Sequence, residues 1–133
     1  MTDQPVVVSK KALWTGYVMS ALPVALLLMS GVMKIMKPPM VVKGFADMGF
    51  PEHLAIGIGI VELVCTIIYL IPRTAVLGAI LLTGYLGGAI CTTVRVGQPY
   101  FLTIIFGILV WGGLFMRDPR LRELIPLRKP ARN

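Results

Sequence analysis

Residues 54–71 read LAIGIGIVELVCTIIYLI, eighteen positions with a single formally charged residue, Glu62. A helix rising 1.5 Å per residue needs about 20 apolar residues to cross about 30 Å of hydrocarbon, so this stretch is just long enough to span a bilayer. Its apolar run is continuous rather than alternating, which argues against a barrel strand. Three further stretches have the same character: Ala12–Met33, Thr74–Val94 and Pro99–Met116, of 22, 21 and 18 residues, none containing Asp, Glu, Lys or Arg. The fold expected is all-α: a four-transmembrane-helix antiparallel bundle. It divides the chain into an N-terminal segment 1–11, a single membrane domain 12–116 and a basic tail 117–133.

Composition points the same way. The 133 residues are 56% hydrophobic and 14% charged, with a mean hydropathy of +0.83, where soluble domains carry about 25% charged residues. A soluble chain of this size has too much surface to cover with so little polarity, and disorder requires low hydrophobicity. An ordinary cytosolic enzyme is thereby excluded. The net charge of +7 is topogenic on this reading. Four crossings put Lys10, Lys11, Arg73, Arg117, Arg120, Arg122, Arg128, Lys129 and Arg132 on one side, against Lys34, Lys37, Lys43 and Arg95 on the other. The positive-inside rule then places both termini in the cytoplasm, with the chain in a bacterial inner membrane. The expected partner of the protein is the lipid bilayer; the basic tail suits anionic headgroups, but topogenic charge is the favoured reading of it, and nucleic acid is not expected.

The first stretch follows Lys10 and Lys11 as a secretory signal would, but its apolar run is longer than a signal core and no cleavage site follows it, so a retained helix is expected. Pro23 should bend that helix, because it removes one backbone hydrogen bond. In the loop 34–53, Pro38–Pro39 can open a short helix and Gly49 can close it. Val41, Val42, Phe45 and Met48 share one face of that helix while Lys43 and Asp47 share the other, so it should lie in the interface and roof the bundle. The turn Pro72–Arg73 makes its flanking helices antiparallel neighbours.

Glu62 is the residue that demands an explanation. A carboxylate at mid-membrane is costly, about 2.5–3.5 kcal/mol on insertion scales, and should face the interior either protonated or paired. Gly59, Thr66 and Tyr69 lie on or near its helical face. Lys34 and Arg95 end their helices on the side from which residue 54 enters, and a long basic side chain can reach inward. A polar cluster of Glu62, Lys34 and Arg95 under the roof is therefore expected. The competing reading leaves Glu62 protonated and serving packing alone. Tyr85, Gly88, Thr92 and Arg95 form a second polar stripe. Gly84-x-x-x-Gly88, with Gly87, is expected to serve helix packing. Trp14 and Tyr17 suit an interfacial aromatic belt.

Several chemistries drop out. One histidine, His53, cannot give paired haem ligation, and Cys65 and Cys91 differ too much in depth for a disulfide. No metal-ligand cluster, nucleophile elbow or phosphate loop is present, so neither a metal nor a covalently bound cofactor is expected.

The segments SGVMK (Ser30–Lys34), GFADMGFP (Gly44–Pro51), IVELVC (Ile60–Cys65), YLIPRTAVLGAILLTGYLGGAI (Tyr69–Ile90), VRVG (Val94–Gly97) and LVWGGLFMRDPRLREL (Leu109–Leu124) together resemble the DoxX-like family of small bacterial four-helix membrane proteins. The resemblance implies architecture first. That family includes proteins similar to membrane subunits of thiosulfate:quinone oxidoreductases, alongside many members of unknown function. Lys34, Glu62, Tyr85 and Arg95 match its recurrent polar positions. Thr93 stands where many relatives have a histidine, which argues against proton-shuttling redox chemistry here.

Two functions remain in competition. In one, Glu62 and Tyr85, with Lys34, Arg95, Tyr69, Thr66 and Thr92 as further candidates, orient the polar head of a quinone-like or lipid-like ligand, with a membrane redox partner implied. In the other, the chain is a non-enzymatic accessory protein that packs through its glycine face against itself or a partner. A channel would need a polar path across the whole membrane, and the polar residues reach only halfway.

Overall fold

The computed structural model describes residues 9–125, 127 and 128; the remainder of the segments 1–11 and 117–133, including Lys129 and Arg132, lies outside them. The described residues are helical and contain no strand. Helix α1 (Lys10–Met36) starts at Ser9, whose hydroxyl accepts from Ala12 N at 3.2 Å. It continues through the buried Pro23 without interruption and ends at Lys37 in the left-handed conformation, φ 51°. It is longer than the 22 residues expected, so Lys34 lies within its last turn. Pro38 and Pro39 end it there, since neither can donate a backbone hydrogen bond and Pro38 disfavours helix at Lys37.

Proline at a first helical position costs nothing, and α2 (Pro39–Asp47) begins on one. It ends before Gly49, which adopts φ 78°, a conformation open to glycine without strain. Helix α3 (Leu54–Leu70) leads through a 3₁₀ turn, Pro72–Thr74, into α4 (Ala75–Arg95); α5 (Phe101–Arg117) follows, then the short α6 (Pro119–Leu124). That last helix lies in the segment read from sequence as tail. Asp118 caps it by accepting from Arg120 N at 3.0 Å, and Leu121 is buried against the core.

Each of the four long helices packs against two others, α1 on α3 and α5, and α4 on α3 and α5. The pairs run antiparallel: Gly31 meets Gly59 and Leu63, Ser20 meets Tyr69, and Gly16 meets Gly113 and Arg117. Glycines make the closest approaches. A Cβ at Gly113 would strike Ser20 and the Gly16 carbonyl, and one at Gly78 would strike the Tyr69 backbone. Gly84, Gly87 and Gly88, expected to pack helices together, meet no other helix among the described residues. A Cβ at any of them would meet nothing within 4 Å. The G-x-x-x-G spacing only permits close approach; here the partners of α4 cross on its other face, at Gly78, Ala79, Leu82 and Leu86.

By length and composition, α1 and the segment Pro72–Arg95 are long and apolar enough to cross a membrane, while α3 and α5 are apolar at 17 residues each. The outward faces are apolar all round. Leu22, Met29, Ile60, Ile67, Ile80 and Ile108 are each about half exposed or more, a girdle that water would not tolerate.

Candidate functional site

Two polar assemblies interrupt the apolar interior, one near each end. At the α2 end, Lys34 Nζ donates to Glu62 Oε2 and to Ser30 Oγ, both at 2.6 Å, and Ser30 Oγ reaches the same carboxylate oxygen at 3.4 Å. Glu62 is 1% exposed. Residues 30 and 34 are one turn apart on α1, so both side chains meet α3 at the level of Glu62. The Tyr85 phenol comes beside the carboxylate from α4, with its hydroxyl directed at Glu62. Thr66 Oγ1 donates to the Glu62 backbone carbonyl at 2.7 Å, so its proton stays within α3.

Arg95 does not join this cluster. It closes α4 and extends outward, donating to Met48 O at 2.5 Å with its guanidinium 6.0 Å from the Phe50 ring centre. A guanidinium at a helix end reaches the interface more cheaply than the interior, so the expected triad is a Lys34–Glu62 pair with Arg95 bracing the roof. Tyr69 is elsewhere too. It shares the buried face of α3 with Glu62 but lies two turns away, about 10 Å along the axis, and belongs to the second assembly.

In that second assembly Arg117 Nη2 donates to Ser20 Oγ at 3.3 Å, Ser20 lies 2.7 Å from the Tyr69 hydroxyl, and Tyr69 donates to Val110 O at 2.8 Å. The single phenol proton goes to Val110, so Ser20 donates to Tyr69. The Arg117 guanidinium lies between the rings of Tyr17 and Tyr69, at 5.3 and 5.5 Å, while its Nε is buried without a partner. These contacts clamp α1, α3 and α5 together at the terminal end.

Beside the Lys34–Glu62 pair is a cavity of about 620 Å³, walled by α1, α2, α4 and Ile58 of α3. Met29, Met33, Phe45, Met48 and Phe50 supply its apolar surface; Ser30, Lys34, Tyr85, Thr92 and Thr93 supply its polar groups. Glu62 is not in the wall; it stands behind Lys34 and Ser30. Thr92 and Thr93 donate to carbonyls of their own helix. Gly84 and Gly88 line the cavity, and the side chains they lack are part of its volume. Met29, Gly84 and Gly88 are exposed, so the cavity opens to the surface between α1 and α4. The roof expected over residues 34–53 is present as α2: Val41, Gly44, Phe45 and Met48 face the cavity, while Lys43 is exposed. Phe45 and Phe50 pack at 6.1 Å, and Lys37 approaches Glu52 at 3.8 Å.

The family model that matches is described as the DoxX-like family and covers residues 18–113. The chain belongs to the DoxX-like family. No curated protein and no solved structure matches it. The matched span of this DoxX-like chain holds the Lys34–Glu62 pair, the cavity and its roof, and stops before Arg117. Together with the apolar girdle, membership makes it a membrane protein.

Sequence reasoning named Lys34, Glu62, Tyr85 and Thr92 for this region. It missed Ser30, the methionine and phenylalanine wall, and the Arg117–Ser20–Tyr69 chain. Ser30 sits one turn before Lys34 and could have been found by that spacing. Cys65 is buried and Cys91 exposed, both as free thiols.

Proposed function

We propose that this protein spans the membrane four times, α1, α3, α4 and α5 crossing as an antiparallel bundle with both termini cytoplasmic in a bacterial inner membrane. Its cavity under α2 binds a small apolar molecule. The observation that carries the reading is the cavity itself: about 620 Å³, mostly apolar, with its polar groups converging at Lys34, Ser30 and Tyr85. That is the make-up of a small-molecule site. The opening between α1 and α4 lets a ligand enter from the lipid. A quinone-like head or a lipid-like hydroxyl fits the donors on offer, and a quinone would place the chain as a membrane subunit of an oxidoreductase system.

Lipid extracts of the protein purified in nanodiscs test this by mass spectrometry. Wild-type protein should carry one neutral apolar species well above its abundance in the surrounding bilayer. Gly84→Leu, which fills the cavity, should lose it, while Gly87→Leu, on the same helix but outside the lining, should keep it. Equal enrichment in wild type and Gly84→Leu would sink the reading.

A specific observation supports a second reading. Gly84, Gly87 and Gly88 are exposed and a Cβ there would meet nothing within 4 Å among the described residues, which leaves this face of α4 for a second copy or another membrane protein. Native mass spectrometry from mild detergent should then show a dimer or complex that Gly87→Leu dissociates.

A further inference from the structure

The cavity presents one formally charged residue to a ligand, Lys34. Two of its three ammonium protons are committed, to Ser30 Oγ and Glu62 Oε2, and the third has no acceptor among the described residues. The charge is balanced from behind, because Glu62 is almost wholly buried and outside the cavity wall. A ligand therefore meets a hydrogen-bond donor whose positive charge has already been neutralised. Tyr85 stands beside it in the lining, with its hydroxyl directed at Glu62. Thr92 and Thr93 have turned their protons into α4 and keep only lone pairs.

We infer that the cavity selects uncharged hydrogen-bond acceptors, ketones, quinones or alcohols, and rejects carboxylic acids of the same shape, with Glu62 acting as the positioning residue that sets this preference. The inference rests on the cavity reading above. A ligand carboxylate would bring a second negative charge to a single ammonium. Of the other basic groups at this end, Arg95 is engaged at Met48 O, Lys37 lies toward Glu52, and Lys43 is exposed and outside the lining. An unbalanced charge in apolar surroundings costs more than one charge-assisted hydrogen bond returns. An amine fares no better: it would face the Lys34 ammonium with the carboxylate out of reach behind it. A carbonyl or hydroxyl oxygen accepts the free Lys34 proton and leaves the balance intact.

The prediction is a selectivity that one substitution inverts. Tritiated 4-decylacetophenone is bound to the protein in phosphatidylcholine nanodiscs at pH 8.5 and displaced by 4-decylbenzyl alcohol, 4-decylbenzoic acid or 4-decylbenzylamine. With wild-type protein the alcohol should compete within threefold of the ketone, and the acid and the amine at least tenfold more weakly. Glu62→Gln leaves the Lys34 charge unbalanced, and the order of acid and ketone should invert. Acid binding within threefold of the ketone in wild type, or an unchanged order in Glu62→Gln, overturns the inference. If Glu62→Gln does not fold, Lys34→Gln/Glu62→Gln removes both charges together; acid displacing the ketone as well as unlabelled ketone does there overturns it too, and continued rejection supports it. Absence of ketone binding to the wild-type protein is a different failure, because it removes the cavity reading itself.

Discussion

An ammonium and a carboxylate 2.6 Å apart, one of them 1% exposed, form an arrangement whose two halves are worth little separately. Removing one partner from a buried pair costs about 3–5 kcal/mol, whereas replacing both with apolar groups of similar size is often neutral. Lys34→Met should therefore lower the thermal stability of the detergent-solubilised protein more than Lys34→Met/Glu62→Leu, and a double variant less stable than the single would refute the coupling. At the other end, Tyr69→Phe deletes the donor to Val110 O and the acceptor for Ser20. Val110 O keeps its helical partner within α5, so the loss is of side-chain hydrogen bonds worth about 0.5–1.5 kcal/mol each, which a chemical-denaturation midpoint should register. Glu62 was legible because it is the one charge in four apolar stretches. Its partnership with Lys34, and not Arg95, was not, since both basic residues end helices on the same side and only side-chain direction separates them.

Glycines on the helices behave in two opposite ways, and the element scale is where this shows. Gly78 and Gly113 sit where a Cβ would strike backbone or the Ser20 side chain, so Gly78→Ala and Gly113→Ala should each cost about 1–3 kcal/mol by overpacking. Gly84, Gly87 and Gly88 have open space, and alanine there should be neutral or stabilise α4 by up to about 1 kcal/mol. Thermal denaturation of the five variants should split them into these two groups. Helix α2 was readable from its proline start, glycine stop and two-faced pattern. What holds it over the cavity was not readable: Arg95 reaches Met48 O across 47 residues, a contact no local pattern announces. Arg95→Gln should raise amide hydrogen exchange across residues 39–50 and leave α1 and α5 unchanged.

For the whole molecule, the four-crossing topology makes a sharp prediction. With Cys91 replaced by serine, His53→Cys and Arg73→Cys should react with a membrane-impermeant maleimide from opposite faces of sealed vesicles. Labelling of both from one face would rule out the topology. The charge-poor stretches fell within a few residues of the helices, because the hydrophobic cost of exposing or charging them is large and local to each stretch. The ends shifted where caps decided them, at Ser9 and Pro38–Pro39 for α1, and α6 was missed because its six residues carry no periodic pattern long enough to read.

By itself, then, the sequence determined an all-helical membrane protein, its roof helix and its one unavoidable carboxylate, since each follows from hydropathy, proline geometry or the cost of a charge in hydrocarbon. Tertiary structure alone decided that Gly84 and Gly88 line a cavity and meet no other helix among the described residues. It alone decided that Glu62 stands behind the cavity wall, that Arg95 turns outward, and that Tyr69 joins Arg117 at the far end. Those outcomes depend on which faces of four similar apolar helices meet, and many pairings bury nearly the same area; only the close fit of glycines, Ser20 and Tyr69 selects one.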